Sequence, residues 1–320
     1  MTEKENQQVN NLIFKELIKR GYSEKNGSKT WNLADSKLIF CSNDEGQAFF
    51  DFEKNSRYQN KIDLQEINTI KENIKEIKNN IKDKAVNIVD LGCGSGKKAA
   101  DIIQRLKLKD FKIRYCPVDI NSDLVRMATD TVRKENPEEV IKMQWIVSDF
   151  DNIENIAKSI RYKEYQKNVF LLLGNTMENL DIHEILYSIR RSMREGDLLI
   201  LGNSIWNKES QEMLELYKKS TTLKKLLINI PMGLGFKEQE LEMDIGFKES
   251  RIEVYYNIKI NKTVELYGKK IEFKKGDRLL VLLSYKYEKK DLIEILNMYF
   301  DNVNMKISED GFYSVSICKK

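Results

Sequence analysis

The sequence predicts an α/β fold in which a largely parallel sheet carries helices on both faces. Over residues 86–202, short apolar segments typical of strands alternate with longer segments that have helical periodicity. This alternation stops after Asn203, where the patterns of an α+β unit begin, and strand-like segments return near the C-terminus. Strands that alternate with helices form parallel sheets, because each crossover helix returns the chain to the same edge. We therefore expect a parallel sheet with a second unit inserted into it.

The alternating region contains five predicted strands and four predicted helices. The strands span 86–91, 112–118, 142–147, 168–173 and 197–202, and the helices span 97–107, 122–134, 151–161 and 181–194. Before this region, residues 9–20 and 64–84 have the apolar spacing of amphipathic helices, whereas 28–60 is polar and expected to be irregular. An inward-facing apolar stripe on residues 64–84 is expected to pack against the sheet.

The remaining segments predict the second unit and the closing edge of the sheet. They comprise a helix over 208–229, strands over 251–260 and 263–285, a helix over 289–299, and a final antiparallel hairpin of strands near 302–307 and 312–318. The expected domains are 62–205 completed by 286–320, and 206–285 joined by 1–61.

Composition argues against several classes of function. With 54 basic and 50 acidic residues the net charge is +4, and the basic residues are spread along the chain rather than concentrated in a stripe that would bind nucleic acid. The four cysteines are widely spaced and form no C-x-x-C motif, so neither a metal site nor a disulfide framework is expected. The N-terminus lacks a signal-peptide core, and no apolar run is long enough to cross a membrane. We expect a cytoplasmic monomer whose partner is a small molecule.

The most informative motif is VDLGCGSGK at residues 89–97, between a predicted strand and a predicted helix. Glycines at alternate positions let the backbone approach a ligand closely, and the helix start offers free N–H groups. A dinucleotide fingerprint needs a further glycine five positions after Gly92, where this chain has Lys97. The pattern D-x-G-x-G-x-G instead resembles motif I of the class I S-adenosylmethionine (SAM) methyltransferases. The resemblance implies a Rossmann-like sheet with an inserted α+β substrate-binding domain, SAM as cofactor, and cofactor contacts from Asp90, Gly92, Cys93, Gly94 and Lys97.

Acidic residues also follow the next two strands. Asp119 ends the second predicted strand, where a carboxylate can accept two hydrogen bonds from a ribose diol. Asp149 and Phe150 end the third, where the carboxylate can bind the adenine amino group and the ring can cover the base. An acidic residue at a strand end is also often a helix N-cap, and Asp151 or Ser122 is an alternative cap here. Three such strand ends in succession favour a cofactor site.

A narrower resemblance begins at the fourth strand, which ends in the sequence GNTMENL at 174–180. This segment resembles the G-[S/N]-T-x-x-N-L motif of the histidine-specific SAM-dependent methyltransferase family. Other matching segments, in order, are YCPVD at 115–119, SDF at 148–150, GDLLILG at 196–202, RIEV at 251–254 and SYKY at 284–287. One member of this family trimethylates the α-amino group of histidine, and fungal relatives N-methylate prenylated tryptophan.

The resemblance implies roles for individual residues. Asn179 would hold the amino and carboxylate groups of the substrate, and Tyr217 would contact the amine. Ser284 would line the side-chain pocket, and Tyr58 is the nearest match to a tyrosine that closes over cofactor and substrate. Gly174 would belong to the cofactor site.

Two departures from the family pattern bear on the substrate. Leu282 stands where the histidine enzyme has a glutamate that grips the imidazole, and Val254 stands where it has a methionine. Leucine accepts no hydrogen bond, and burying an imidazole N–H without a partner costs ~1–3 kcal/mol. The sequence therefore predicts N-methylation of the α-amine of a small amino acid, with an apolar or aromatic side chain rather than histidine, in secondary metabolism.

Several alternatives stay open at this stage. Asn179 is also placed to cap the following helix, Tyr217 is also placed to be a core residue, and His183 is expected to be a surface residue. Other possible functions are methylation of another small natural-product intermediate or of nucleic acid, and a binding module without catalysis. The chain has no N-P-P-[Y/F] motif after the fourth strand, which argues against a nucleic-acid substrate.

Overall fold

The computed structural model describes residues 3–40, 64–81, 85–106, 112–136, 142–207, 210–266 and 268–320. The chain divides into two compact units. The parallel-sheet unit comprises Glu53–Asn207 with Tyr287–Lys320, and the second unit comprises Met1–Phe52 with Lys208–Lys286. Among the described residues, no helix combines the length and apolar character needed to span a bilayer.

The parallel-sheet unit alternates strands with helices. Four elements of the second unit come first in the chain: α1 (Glu3–Arg20), β1 (Tyr22–Lys25), β2 (Ser28–Asn32) and α2 (Ser36–Phe40). The elements of the parallel-sheet unit follow, and they are α3 (Leu64–Asn80), β3 (Ala85–Leu91), α4 (Lys97–Leu106), β4 (Lys112–Asp119), α5 (Ser122–Glu135), β5 (Lys142–Met143), β6 (Ile146–Val147), α6 (Ile153–Ser159), β7 (Lys167–Leu172), α7 (Ile182–Ser192) and β8 (Leu198–Ser204). After the second unit the sheet is completed by the later helix Lys289–Tyr299 and strands β14 (Asn302–Ile307) and β15 (Tyr313–Lys319).

The sheet has the order β14-β15-β8-β7-β3-β4-β5, with β6 also paired to β4. Strands β8, β7, β3, β4, β5 and β6 pair in parallel, whereas β15 is antiparallel to β8 and β14 is antiparallel to β15. The predicted α/β class, with a mostly parallel sheet that a C-terminal antiparallel hairpin closes, is confirmed.

Helices cover both faces of the sheet. One core layer joins α3, α4 and α5 to the sheet through buried residues such as Ile70, Ile102 and Val125. The other joins α6, α7 and the helix Lys289–Tyr299, through residues such as Ile156 and Leu186. Both faces of the central strands are therefore apolar, and every residue of β3 is buried. Burial on both faces is the usual state of parallel sheets.

The carboxyl ends of the parallel strands depart from the predicted boundaries. The strand expected over 142–147 is two short strands, and the helix expected over 151–161 begins as a 3-10 turn at Phe150–Asn152 and ends at Ser159. Asp149 accounts for this turn, because its side chain caps the turn's start.

The second unit continues after β8 with three short helices and five strands among its described residues. They are α8 (Ser210–Lys218), α9 (Thr221–Leu227), α10 (Asn229–Gly233), β9 (Leu241–Lys248), β10 (Arg251–Ile258), β11 (Lys262–Leu266), β12 (Lys269–Phe273) and β13 (Arg278–Tyr285); the helix Lys289–Tyr299 is α11. One sheet has the order β1-β2-β13-β10-β9, and β11 pairs only with β12 among the described strands.

Three features of the second unit differ from the sequence-based expectation. The segment 28–60, expected to be irregular, includes β2 and α2, and β1 and β2 form a hairpin whose turn residues Asn26 and Gly27 have positive φ angles of 52° and 76°. Strand β9 was not expected. The helix expected over 208–229 is broken, because the Ser220 hydroxyl accepts a hydrogen bond from the Leu223 N–H and starts a new helix.

Candidate active site

The glycine loop runs from the buried strand β3 into the start of α4. Gly92, Gly94 and Gly96 have positive φ angles of 71°, 49° and 74°, a region that other residues rarely adopt. A Cβ on Gly96 would lie 2.6 Å from the Cα of Ala128, so this glycine lets the loop pack against α5. A Cβ on Gly92 would lie 3.0 Å from Thr176 Cγ2. Gly96 therefore needs glycine for space as well as for conformation, whereas a side chain on Gly92 would require the Thr176 side chain to shift by a few tenths of an ångström.

Asp90, which opens the motif, is buried. The Tyr115 hydroxyl donates a hydrogen bond of 2.7 Å to its carboxylate. Burial raises the pKa of Asp90 to about 6, and the Tyr115 hydrogen bond and the charge of Lys98 oppose part of that rise. Asp90 thus holds its carboxylate inside the fold, two residues before the first glycine of the loop.

Asp119 lies at the end of β4, next to the glycine loop. Its Oδ1 accepts a hydrogen bond of 3.0 Å from the Asn121 N–H. Burial raises the pKa of Asp119 to about 6, and backbone N–H groups, among them those of Asn121 and Gly94, oppose the rise. The cap of α5 is Asn121, whose side chain accepts from the first-turn N–H groups, so neither Asp119 nor Ser122 is the N-cap.

Asp149 and Phe150 follow β6 at the same edge of the sheet. The Asp149 carboxylate accepts a hydrogen bond of 3.1 Å from the Asp151 N–H, so the capping alternative does apply to Asp149, as the cap of a short 3-10 turn. The Phe150 ring is partly buried, and its Cζ is 3.5 Å from the position that a Cβ of Gly92 would occupy. The aromatic ring therefore lies against the glycine loop.

The first turn of α4 contains two lysines in different environments. Lys97 is exposed, whereas the ammonium group of Lys98 lies 2.9 Å from a carboxylate oxygen of the fully buried Glu66. The same ammonium group is 2.6 Å from the position of a Cβ on Gly174. The motif pointed to Lys97 and gave no indication of Lys98 or Glu66. An inward-facing lysine cannot be distinguished from its neighbour by the motif alone.

The segment after β7 forms a tight turn that carries Asn179. Asn175 has a left-handed backbone with a φ of 63°, and its side-chain oxygen accepts a hydrogen bond of 2.8 Å from the Ser204 N–H. A 3-10 turn, Thr176–Asn179, follows, and Asn179 is partly buried. The next helix is capped by Asp181, so the alternative that Asn179 is its cap is wrong.

The substrate-side residues predicted in the second unit share one sheet. Val254 on β10 pairs with Leu282 on β13, and Ile252 pairs with Ser284. Directly paired residues point to the same face of a sheet, so all four side chains lie on one face. Val254 is fully buried, and Leu282 and Ser284 are partly buried.

Three further residues were named from the sequence, namely Tyr217, Tyr58 and His183. Tyr217 lies on α8 and is partly buried. Tyr58 lies outside the described residues. His183 is exposed at the start of α7, as expected, with its Nδ1 2.8 Å from the Tyr299 hydroxyl.

Solved structures similar to this chain include several methyltransferases. The PH0226 protein from Pyrococcus horikoshii is 13% identical with a TM-score of 0.44, over 87% of this chain and 99% of that one. An O-methyltransferase family protein from Burkholderia thailandensis is 8% identical with a TM-score of 0.46, over 99% and 70%. Human N-acetylserotonin methyltransferase in complex with SAM is 13% identical with a TM-score of 0.40, over 89% and 58%.

Family membership comes from the sequence match. No curated protein sequence matches this chain. The family model described as "Histidine-specific methyltransferase, SAM-dependent" matches residues 37–320, which confirms the family and the cofactor predicted from the motifs. The chain therefore belongs to the histidine-specific, SAM-dependent methyltransferase family and is a SAM-dependent methyltransferase.

Proposed function

We propose that this enzyme methylates the α-amino nitrogen of a small amino acid whose side chain is apolar or aromatic. The observation that carries the proposal is the pairing of Val254 with Leu282 on one face of the second unit's sheet. Ile252, which is buried, lies on the same face and adds apolar surface. Burial of an apolar side chain against such a surface contributes about 25 cal/mol per Å².

The donor set at the glycine loop fits SAM. Asp119 would accept hydrogen bonds from the ribose hydroxyls, and Asp149 and Phe150 would bind and cover the adenine. The close approach of Phe150 to Gly92 supports this assignment, because it places an aromatic ring beside the loop. Gly174 and the ammonium group of Lys98 would bind the amino-acid end. Lys98 takes the place that the sequence alone suggested for Lys97.

Asp90 and Cys93 would support the loop from buried positions. Both are buried, with exposed fractions of 5% and 7%, so they would shape the loop more than they contact its ligand. Gly94 supports the same role, since its N–H favours the ionised form of Asp119 and so links the loop to the ribose-binding carboxylate.

The chain's part in the reaction is alignment rather than strong base catalysis. Bound SAM supplies an electrophilic methyl group on a sulfonium. Asn179 would hold the substrate's amino and carboxylate groups, and its short turn is fixed because Asn175 accepts a hydrogen bond from the Ser204 N–H on β8. Tyr217 would contact the amine, which loses its proton to water or to this tyrosine. Fixing nitrogen, methyl and sulfur in line supplies much of the rate enhancement in such transfers.

The side-chain end of the site argues against histidine. Leu282 and Val254 offer no hydrogen-bond acceptor, and Ser284 beside them supplies a single hydroxyl group. The Ser284 hydroxyl can pair with one of the two imidazole nitrogens, so a buried imidazole would leave the other without a partner at a cost of ~1–3 kcal/mol. A phenyl ring has no such polar group, and the single N–H of an indole can donate to that hydroxyl.

The test is a screen of the amino acids with SAM, with products identified by mass. Tryptophan, tyrosine, phenylalanine or a modified relative should be methylated on the α-nitrogen faster than histidine. Fastest methylation of histidine would contradict the apolar-pocket argument. Methylation of an oxygen or carbon atom instead of the α-nitrogen would contradict the proposed reaction.

A further inference from the structure

Glu66, in the first turn of α3, is a carboxylate with no exposed surface. Its oxygens accept hydrogen bonds from the Gly174 N–H at 3.0 and 3.2 Å and from the Tyr313 hydroxyl at 2.5 Å. The Lys98 ammonium lies 2.9 Å from the second oxygen. A buried charge is unfavourable unless it is paired and hydrogen-bonded, and here both conditions are met.

The neighbouring strand leaves room for this carboxylate. A Cβ on Gly202 of β8 would lie 2.0 Å from Glu66 Oε1 and 2.7 Å from the Tyr313 hydroxyl oxygen. Three groups from separate segments therefore converge on one acid. A glutamine at this position would be matched poorly to these partners. The terminal NH₂ group of glutamine only donates hydrogen bonds, and all three neighbouring groups are placed as donors.

The contacts of Glu66 fix the peptide that joins Leu173 to Gly174. The N–H of this peptide donates to Glu66, and its carbonyl oxygen accepts from the Thr176 hydroxyl at 2.7 Å. Thr176 in turn lies at the edge of the glycine loop, with Cγ2 3.0 Å from the position of a Cβ on Gly92. The peptide is thus held from both sides, at the end of β7 that faces the glycine loop.

We propose that Glu66 is a positioning residue for the amino-acid end of SAM. It has no surface for a ligand to touch, and it acts by holding the Lys98 ammonium and the Gly174 peptide in place. The inference rests on the proposed cofactor site at the glycine loop. It assigns to Glu66 an effect on the amino and carboxylate groups of the cofactor, and none on its ribose or adenine.

Calorimetry with two ligands tests this division. S-adenosylhomocysteine has the amino-acid end, whereas 5′-methylthioadenosine has the ribose and adenine without it. Glu66→Gln should weaken S-adenosylhomocysteine by about tenfold, as for the loss of a charge-assisted contact, and 5′-methylthioadenosine by about twofold at most. Lys98→Met should give the same selective loss, and the double variant should lose little more, because both changes remove one coupled unit.

Two controls separate the possible outcomes. Glu72→Gln removes an exposed carboxylate from the same helix and should leave both affinities unchanged. Asp119→Ala should weaken both ligands alike; if it weakens neither, the proposed cofactor site is wrong. If Asp119→Ala weakens both while Glu66→Gln changes neither, tightens either, or weakens both equally, the inference about Glu66 is wrong and the cofactor site stands.

A second variant covers the case in which Glu66→Gln fails to fold, as judged by a circular-dichroism melt. Tyr313→Phe removes one donor and keeps both Glu66 and Lys98. It should produce a smaller loss with the same preference for S-adenosylhomocysteine. An equal loss for both ligands in this folded variant would overturn the proposal.

Discussion

The Tyr115 hydroxyl donates a hydrogen bond of 2.7 Å to the Asp90 carboxylate across two adjacent parallel strands, β3 and β4. Both residues are buried, and burial raises the pKa of Asp90 to about 6 from 3.8. A raised carboxyl pKa means that the folded state holds the proton more tightly than the unfolded chain. The stability contributed by this group is therefore present below pH 4 and lost as the pH rises through about 6.

This relationship predicts a pH-dependent cost for Tyr115→Phe. Without the donor, the ionised form of Asp90 loses a stabilising contact, so the free energy of unfolding should fall by about 1.5–3 kcal/mol at pH 7.5. At pH 5, where Asp90 in the folded protein is mostly protonated, the loss should be smaller. Urea unfolding at the two pH values measures the difference. Tyr162→Phe, at a tyrosine that is 60% exposed, is the matched control and should change neither value; an equal loss at both pH values would contradict the explanation.

Cofactor affinity should also depend on pH, through Asp119. Its pKa of about 6 in the free protein is set first by burial, and ribose hydroxyls that donate to the carboxylate would favour the ionised form. Binding therefore favours the ionised carboxylate, whereas at pH 5 the Asp119 side chain of the free protein is mostly protonated. We expect SAM to bind about tenfold more weakly at pH 5 than at pH 7.5.

The matched variant for this pH dependence is Asp119→Asn, which keeps the shape of the side chain and removes its titration. Calorimetry across pH 5 to 8 should give a flatter profile for the variant, with lower affinity at neutral pH. A variant profile as steep as that of the parent protein would show that Asp119 is not the titrating group.

Gly96 and Gly311 form a natural pair for testing the glycine loop. Their φ angles are 74° and 75°, but a Cβ on Gly96 would lie 2.6 Å from the backbone of Ala128, whereas one on Gly311 would have nothing within 4 Å. Gly311→Ala should therefore cost about 1 kcal/mol from conformation alone. Gly96→Ala should cost about 3 kcal/mol or more, because a clash is added.

Chemical unfolding and SAM calorimetry on the same two variants separate the effect on stability from the effect on cofactor binding. Gly311→Ala should bind SAM as the parent protein does, and Gly96→Ala should bind it more weakly because the loop is displaced. Equal stability losses in the two variants would mean that the loop–helix contact at Ala128 relaxes without cost.

Much of the fold follows from local patterns in the sequence. The alternation of strands and helices predicts the parallel sheet and its closing hairpin, because both depend on periodicity and burial within short windows. The β1–β2 hairpin was missed although its Asn26-Gly27 turn is a strong local signal. Strand β9 was missed for a different reason. Its hairpin turn uses Glu249 and Ser250 at positive φ angles of 49° and 56°, and neither residue type favours that region.

Some residues of the candidate site cannot be predicted from local sequence patterns. The motif predicts a ligand loop, but it does not tell Lys97 from Lys98, because the choice depends on where Glu66 lies in the folded chain. Glu66 itself reads as an ordinary polar position of an amphipathic helix. Its burial depends on donors from Gly174 and Tyr313, far away in sequence.

The substrate proposal predicts a change of preference in Leu282→Glu. This leucine is partly buried and pairs with Val254, so a glutamate there would present a carboxylate to the same face of the sheet. An acceptor for a ring N–H should recover about 1–3 kcal/mol for histidine, while a charge beside an apolar ring should disfavour phenylalanine and tryptophan. The ratio of kcat/KM for histidine to that for the best aromatic substrate should rise at least about tenfold.

Leu282→Met keeps the position apolar and is the control for a change of volume. It should leave the histidine ratio within about twofold of the parent value, since the swap conserves hydrophobic character. Both variants need a melting temperature close to that of the parent protein before rates are compared, because β13 lies in the interior of its sheet. A folded Leu282→Glu enzyme with an unchanged ratio would show that this face of the sheet does not contact the substrate's side chain. The amine-binding role of Asn179 would then have to be tested separately, by Asn179→Ala.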